Sequence, residues 1–206
     1  VIRYTLDNTS SKSHSSLYKK PVEVNDNITL KALVFDNNND ISSPLFFATY
    51  HINKATGKTY VMKDLNPQYN GGTQYALTDG LKGNKKSYDR WVGTLGKDYD
   101  VVVDLNKEQE INSVSINFLK DEGSWIFLPL NAKVFISNDN VSWSEVGEMT
   151  KMEVKDNDKV YNYSTKTNKV KARYVRIFAK TIGNCPKDHP GNGYPAHCFA
   201  DEIEIK

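Results

Sequence analysis

The residues best suited to chemistry fall in three polar runs: Tyr88-Asp89-Arg90, Asp121-Glu122-Gly123-Ser124-Trp125 and Lys187-Asp188-His189-Pro190-Gly191-Asn192-Gly193-Tyr194. Each joins a ring-bearing side chain to carboxylates, a guanidinium or an imidazole. That pairing suits a saccharide, whose C–H faces lie on aromatic rings and whose vicinal hydroxyls take charge-assisted hydrogen bonds from a carboxylate or Arg. Tyr88, Arg90, Asp121, Glu122, Trp125, His189 and Tyr194 are the candidate residues for such a site. A second constellation is acidic, with Asp79-Gly80 in mid-chain and Asp201-Glu202 near the end.

Catalytic readings fare worse. Glycoside hydrolysis needs two carboxylates about 5–10 Å apart across a cleft. Asp121 and Glu122 are adjacent, so in an extended segment their side chains diverge. No Ser-His-Asp set and no Gly-rich phosphate loop stands out. Cys185, His189, His197 and Cys198 fit no structural zinc spacing, and neighbouring His197 and Cys198 on a strand would face opposite ways. The residues therefore read as a binding module rather than an enzyme.

The frame that must position these runs is β. Among 206 residues, helical periodicity is almost absent, and short alternating patterns recur between polar turns, as in β-sandwiches. The length suits one large or two small domains. A first group of strands is expected at 2–6, 22–24, 29–35 and 46–52, with a turn at Asn37-Asn38-Asn39-Asp40. Roughly four strands are few for an independent sandwich, so this segment is expected to be truncated or to lean on a neighbour. Gly57, Pro67, Gly71 and Gly72 mark residues 53–75 as a junction. The expected domains are thus 1–55, a linker at 56–75, and 76–206. The last holds strands at 101–105, 111–119, 132–137, 143–149, 160–164, 170–179 and 199–205, the inventory of a jelly roll.

Composition removes other classes. Hydrophobic residues make up 38%, and no apolar run approaches the roughly 20 residues of a membrane span. The 27 basic and 25 acidic side chains leave a net +2, without the clustered basic face that nucleic acid demands. Twelve Tyr, eight Phe and three Trp suit both strands and sugar stacking. Trp91 and Trp143 are expected in the core, where apolar strand-end aromatics bury. Trp125 has two readings, a stacking platform or a plug beneath its loop. Arg173 and Arg176 read as solvated or salt-bridged. Cys185 and Cys198 flank one Pro/Gly-rich loop, either as a disulfide in an oxidising compartment or as two buried thiols. The chain opens at Val1 directly in strand-like sequence, as expected of a piece of a longer protein whose targeting segment lies elsewhere.

Particular motifs add a family resemblance over nearly the whole chain. Ile2-Arg3-Tyr4-Thr5-Leu6-Asp7, Ser16-Leu17-Tyr18, Pro21-Val22 and Thr29-Leu30-Lys31-Ala32 resemble the small β-sandwich that ends chitobiase-type β-hexosaminidases. That family's opening strands are missing here, and its usual Gly after Asp7 is Asn8. Leu77-Thr78-Asp79-Gly80, Trp91, Val103-Asp104-Leu105 and Ala172-Arg173-Tyr174-Val175-Arg176-Ile177 resemble a discoidin-type jelly roll similar to family 32 carbohydrate-binding modules. Ser124-Trp125-Ile126-Phe127-Leu128-Pro129, Ile182-Gly183-Asn184-Cys185-Pro186, His189-Pro190-Gly191 and Asp201-Glu202-Ile203 resemble the version appended to secreted family 20 glycoside hydrolases of gut-type bacteria.

The resemblance implies an all-β chain: a small partial Ig-like β-sandwich followed by a discoidin-type jelly-roll β-sandwich. It implies that the three polar runs gather at one end of that sandwich. It also implies a structural Ca²⁺, with side-chain oxygens from Asp79 and Glu202 and main-chain carbonyls from Ala76, Leu81, Asp201 and further Asp89. Hard cations take such oxygens at about 2.3–2.6 Å. The other reading of these acids is an Asp-turn beside an ordinary strand-end carboxylate. The implied function is a non-catalytic carbohydrate-binding region of a bacterial β-N-acetylhexosaminidase, secreted, periplasmic or on the cell surface. Its expected partners are glycans ending in galactose or N-acetylhexosamine, and the catalytic domain of the parent chain. The alternatives are a spacer that docks on that catalytic barrel, and a protein- or surface-adhesion module.

Overall fold

The structure, a computed structural model, describes residues 1–36, 38, 40–83, 87–153 and 159–206. Its strands are β1 (Ile2–Thr5), β2 (Ser16–Leu17), β3 (Ile28–Val34), β4 (Phe46–Tyr50), β5 (Tyr60–Lys63), β6 (Val92–Leu95), β7 (Tyr99–Leu119), β8 (Asn131–Ser137), β9 (Ser144–Glu148), β10 (Thr150–Glu153), β11 (Val160–Lys180) and β12 (His197–Ile205). The all-β expectation holds, with a single 3-10 turn at Glu122–Ser124 among the described residues. The chain divides into two compact units, Val1–Ile52 and Asn53–Lys206.

The first unit is an antiparallel sheet in the order β2-β1-β3-β4. Residues 22–24, expected as a strand, are not one. Ser16 and Leu17 take the edge beside Tyr4 and Arg3 instead, and Pro21, lacking an N–H, cannot donate to a ladder. Val22 and Val24 line an apolar hollow of about 290 Å³ over the sheet, with Tyr4, Leu30, Phe46 and Tyr50. At 37–40, Asn38 and Asp40 donate their N–H groups to Asp36 Oδ1 at 2.8 and 2.9 Å, while Asn37 and Asn39 lie outside the described residues.

The second unit is built on two strands of 21 residues each, β7 and β11, which pair antiparallel along almost their full length. Register shifts between Lys166 and Val170 and between Ala172 and Tyr174 let the pair bend, as β-bulges do. One half of the pair joins the ladder β5-β7-β11-β8-β9. The other half joins β6-β12-β7-β11-β10. Period-two alternation does the rest: Tyr99, Val101, Val103 and Leu105 are fully buried, whereas Asp100, Val102 and Asp104 between them are not. Val175, Ile177 and Ala179 alternate in the same way with Arg176 and Phe178.

Two expectations are corrected. Residues 56–75 are not a linker: Ala55 is buried in the core, and β5 pairs Tyr60 with Val103 and Lys63 with Asp100. Trp91 is fully buried as expected, but Trp143 is not in the core. It stands two residues before Glu145, the partner of Phe135 on the outward row of the sheet, so it shares that outer face.

The ends of the second unit meet. Lys54 donates its N–H to the Ile205 carbonyl at 2.9 Å, and Ile205 donates to Asn53 Oδ1 at 3.1 Å. At the opposite pole of β12, Gly93, Phe199 and Leu119 are in register across three strands, and Leu119 is in turn opposite Val160. The loops before β6, after β7, and before β11 and β12 therefore leave the sandwich from one rim.

Candidate functional site

That rim collects the polar runs. Asp121 leads out of β7, and its N–H and carbonyl both pair with Ile126, at 2.9 and 3.0 Å, closing a short loop around the 3-10 turn. Trp125 ends the turn in the left-handed conformation, φ 64°, which is uncommon for a bulky side chain and marks a constrained position. Two main-chain hydrogen bonds impose it, from Trp125 N–H to the Glu122 carbonyl and from His197 N–H to the Trp125 carbonyl, both 2.8 Å.

The loop before β12 needs no disulfide to hold its shape. Cys185 N–H donates to the Tyr194 carbonyl at 2.8 Å and Gly193 N–H to the Cys185 carbonyl at 3.1 Å. Both cysteines are unpaired and buried, Cys185 beside Phe127 and Ala196 and Cys198 in the main core. Gly191 lies beneath the indole: a Cβ there would sit 2.8 Å from Trp125 Cε2. Its lack of a side chain is what lets the ring lie flat on the loop.

Trp125 is half-buried. It packs over Phe127, Cys185 and Ala196 and stands 5.8 Å from the Tyr194 ring, tilted by 38°. Tyr194 itself is 62% exposed. Trp125 thus plugs the loop while still reaching the surface. His189 meets Trp125 edge-on at 6.1 Å. Its Nε2 bonds the Glu122 carbonyl at 2.8 Å, and its Nδ1 accepts from Gly191 N–H at 3.0 Å. With both nitrogens engaged, His189 braces two loops against each other.

On the other side of the turn, the Tyr88 hydroxyl lies 2.8 Å from Asp121 Oδ2 and 2.9 Å from Ser124 Oγ. Lys159 Nζ reaches the same Asp121 oxygen at 2.9 Å. Partial burial works against the Asp121 carboxylate, but Lys159 and the Tyr88 hydroxyl outweigh it and hold its pKa below the usual range. Burial raises the Tyr88 hydroxyl, and the Asp121 charge adds to that shift. Glu122 is exposed and pairs with Lys120 at 3.2 Å. Six of the seven candidates thus gather here. Arg90 does not: its Nη1 lies 3.4 Å from Asp79 Oδ2, within the acidic cluster. Lys159 was missed, since it lies 38 residues from Asp121 in sequence (159 − 121) and no local pattern links them; Ser124 stood within the polar run but not among the seven candidates.

The acidic cluster is the second site. Gly80 N–H donates to Glu202 Oε2 at 3.1 Å, Leu81 N–H to Asp79 Oδ1 at 2.8 Å, and Gly83 N–H to Asp201 Oδ2. Asp201 and Glu202 are each 1% exposed, and their other oxygens, Oδ1 and Oε1, are buried without a hydrogen-bond partner. A register shift in β12 between Asp201 and Ile203, with Glu202 at φ 35°, turns both carboxylates toward the 79–83 loop. Burial pushes Asp201 up to about 8, with the Asp79 charge adding. Burial and the charges of Asp201 and Asp79 push Glu202 to about 10, and burial raises Asp79 as well.

Crowded, dry and underbonded carboxylates are what a bound cation relieves, and the donors are all hard oxygens, so the residues present fit Ca²⁺. Among the described residues no three His, Cys, Asp or Glu side chains form a metal-holding group, so main-chain carbonyls would have to complete the shell. Ala76 is buried on the turn leading into Asp79. Asp89 accepts from Ser87 Oγ at 2.6 Å with its carboxylate, and its carbonyl lies against Gly72.

Several solved structures are similar at TM-score 0.46. CpGH89CBM32-6 of Clostridium perfringens is 18% identical, covering 75% of this chain and 98% of that one. CpGH89CBM32-5 of the same organism, solved in complex with GalNAc-β-1,3-galactose, is 18% identical over 72% and 94%. A Streptococcus pneumoniae fucose binding module is 20% identical over 75% and 94%. No curated protein matches the sequence. The family model described as Fn3 associated matches residues 1–50. The model of the F5/8 type C domain matches residues 56–197, more than half of the chain, and spans the aromatic rim and the 79–83 loop alike. The chain belongs to the F5/8 type C domain family.

Proposed function

We propose that this chain is a non-catalytic carbohydrate-binding region that holds a secreted glycosidase against its glycan substrate. The observation that carries the reading is the pair of rings at the rim, half-buried Trp125 beside largely exposed Tyr194, with Glu122 and Ser124 at the surface next to them. The rings supply a platform for a sugar's C–H face, and the carboxylate and hydroxyls supply partners for its hydroxyl groups. Tethering makes weak single-site affinity useful, because it raises the effective concentration of enzyme at the substrate. The parent is read as a bacterial family 20 β-N-acetylhexosaminidase, supported by the chitobiase-like motifs of the first unit. The ligands are glycans ending in galactose or N-acetylhexosamine.

Ca²⁺ belongs to the same proposal. Asp79 and Glu202 would hold it by their side chains, and Ala76, Leu81 and Asp201 by main-chain carbonyls. The ion would fasten the loop before β6 to β12 without taking part in any reaction.

Isothermal titration of this chain with galactose, N-acetylglucosamine and their oligomers tests the reading. Saturable heat with one of them, lost in Tyr194→Ala, supports it. Absence of heat across the series would favour the second reading, a docking unit. That alternative draws its support from the apolar hollow of the first unit, where Phe46 and Tyr18 are about half exposed.

A further inference from the structure

We propose that the outward face of the β5-β7-β11-β8-β9 ladder carries a second saccharide position, one pyranose ring in size and separate from the rim. The outer face of an antiparallel sheet is ordinarily polar. Here Val61, 75% exposed, Val102 and Trp143 open into a hollow of about 350 Å³ together with Lys63, Asp100, Asn140 and Arg176. The hollow is at the small end of the range for ligand sites, roughly 300–1,000 Å³. It spans three strands by register, since Val61 is opposite Val102, Val102 is opposite Arg176, and Lys63 is opposite Asp100.

Its polar centre is already assembled. Arg176 Nε and Nη2 donate to the two oxygens of Asp100, both at 2.7 Å. The guanidinium also lies 5.8 Å from the Phe135 ring and 5.9 Å from those of Trp143 and Phe178. Two of the five guanidinium N–H groups are spent on Asp100, and each carboxylate oxygen keeps a lone pair. The pair therefore offers donors and acceptors side by side in a fixed orientation, the pattern two neighbouring ring hydroxyls require. Because the charges neutralise each other and the rings hold the guanidinium, little ordering cost remains at binding. Trp143 and the two valines supply apolar surface for the C–H face of the same ring. A lipid or apolar peptide would leave this charged pair covered and unanswered, which is costly, so a saccharide is the better occupant.

The three tryptophans give three indole N–H signals, which single Trp→Phe variants assign in the ¹⁵N-labelled chain. Galactose, N-acetylglucosamine, fucose and glucuronic acid are titrated separately. At least one should move the Trp143 indole and the Arg176 Nε–H together, and the movement should persist in Trp125→Ala. Val61→Lys, at a solvent-facing position, should weaken that response by about tenfold while leaving the melting temperature unchanged. Signals of Trp143 and Arg176 that stay still for all four sugars would overturn the proposal. So would a response that disappears in Trp125→Ala, since it would then be transmitted from the rim. The Trp125 indole reports the rim separately, so either site can fail alone.

Discussion

The chain contains two Asp-Glu dipeptides, and the fold treats them in opposite ways. Asp121-Glu122 sits on an open turn, where Lys159 and Tyr88 answer the Asp and Lys120 answers the Glu. Asp201-Glu202 is nearly inaccessible, faces a third carboxylate at Asp79, and leaves two oxygens without partners. The first pair is held ionised below the ordinary range at Asp121, while the second is pushed far above it. Identical side chains are thus an answered, ionised pair in one place and a buried, underbonded one in the other. The deciding variable is whether positive charge is supplied by the chain itself.

The largest expected effect tests that demand. Calcium at a hundredfold excess over its dissociation constant contributes about 2.7 kcal/mol, so a chelator should lower the melting temperature by roughly 5–10 °C. Glu202→Gln should abolish this dependence and, in chelator, should melt no lower than the parent, because the amide is neutral without the proton that the buried Glu202 carboxyl has to hold. A parent curve indifferent to chelation would break the comparison.

The second effect is on pH. In chelator the folded chain keeps protons on Asp201 and Glu202 up to about 8 and about 10, whereas unfolded carboxyls lose theirs near pH 4. The folded state binds the extra protons in between, so stability should fall as pH rises from about 4 through 8. Calcium should flatten that fall, since it takes the deprotonated carboxylates. Asp121 has the opposite sign, its contribution being present above the unfolded value and lost only as pH drops through its depressed one. Melting curves from about pH 2 to 9, with and without calcium, separate the two.

At the rim, Gly191→Ala should displace the indole of Trp125 and weaken sugar binding by about tenfold, with a stability cost of about 1 kcal/mol. Calorimetric titration beside a melting curve reads both. The smallest effect belongs to Arg90→Ala. Its ion pair with Asp79 is exposed and long at 3.4 Å, so the cost should be about 0–0.5 kcal/mol, and sugar affinity should be untouched.

Much of the sandwich was legible because β7 and β11 alternate so regularly: Val101, Val103 and Leu105 against Asp100, Val102 and Asp104 already state which face is inward. What was not legible is non-local. β5, β6 and β10 have four residues each, too few for a period to declare itself, and β5 begins three residues after Gly57, so its segment read as a linker. The gathering of three loops depends on Gly93, Phe199 and Leu119 sharing a row, which register alone decides. Arg90 was assigned to the sugar site because it follows Tyr88-Asp89, yet its partner is Asp79, eleven residues earlier. Trp143 was expected inside because aromatic strand residues usually are, and only its parity relative to Phe135 puts it outside.

The meeting of Lys54 with Ile205 has a practical consequence. A domain whose entry and exit are hydrogen-bonded neighbours can be spliced into a surface loop of another protein without stretching its host. Residues 53–206 should therefore tolerate re-joining of their ends and new openings at exposed turns, such as the one near Val141. The unit is a portable cassette by construction.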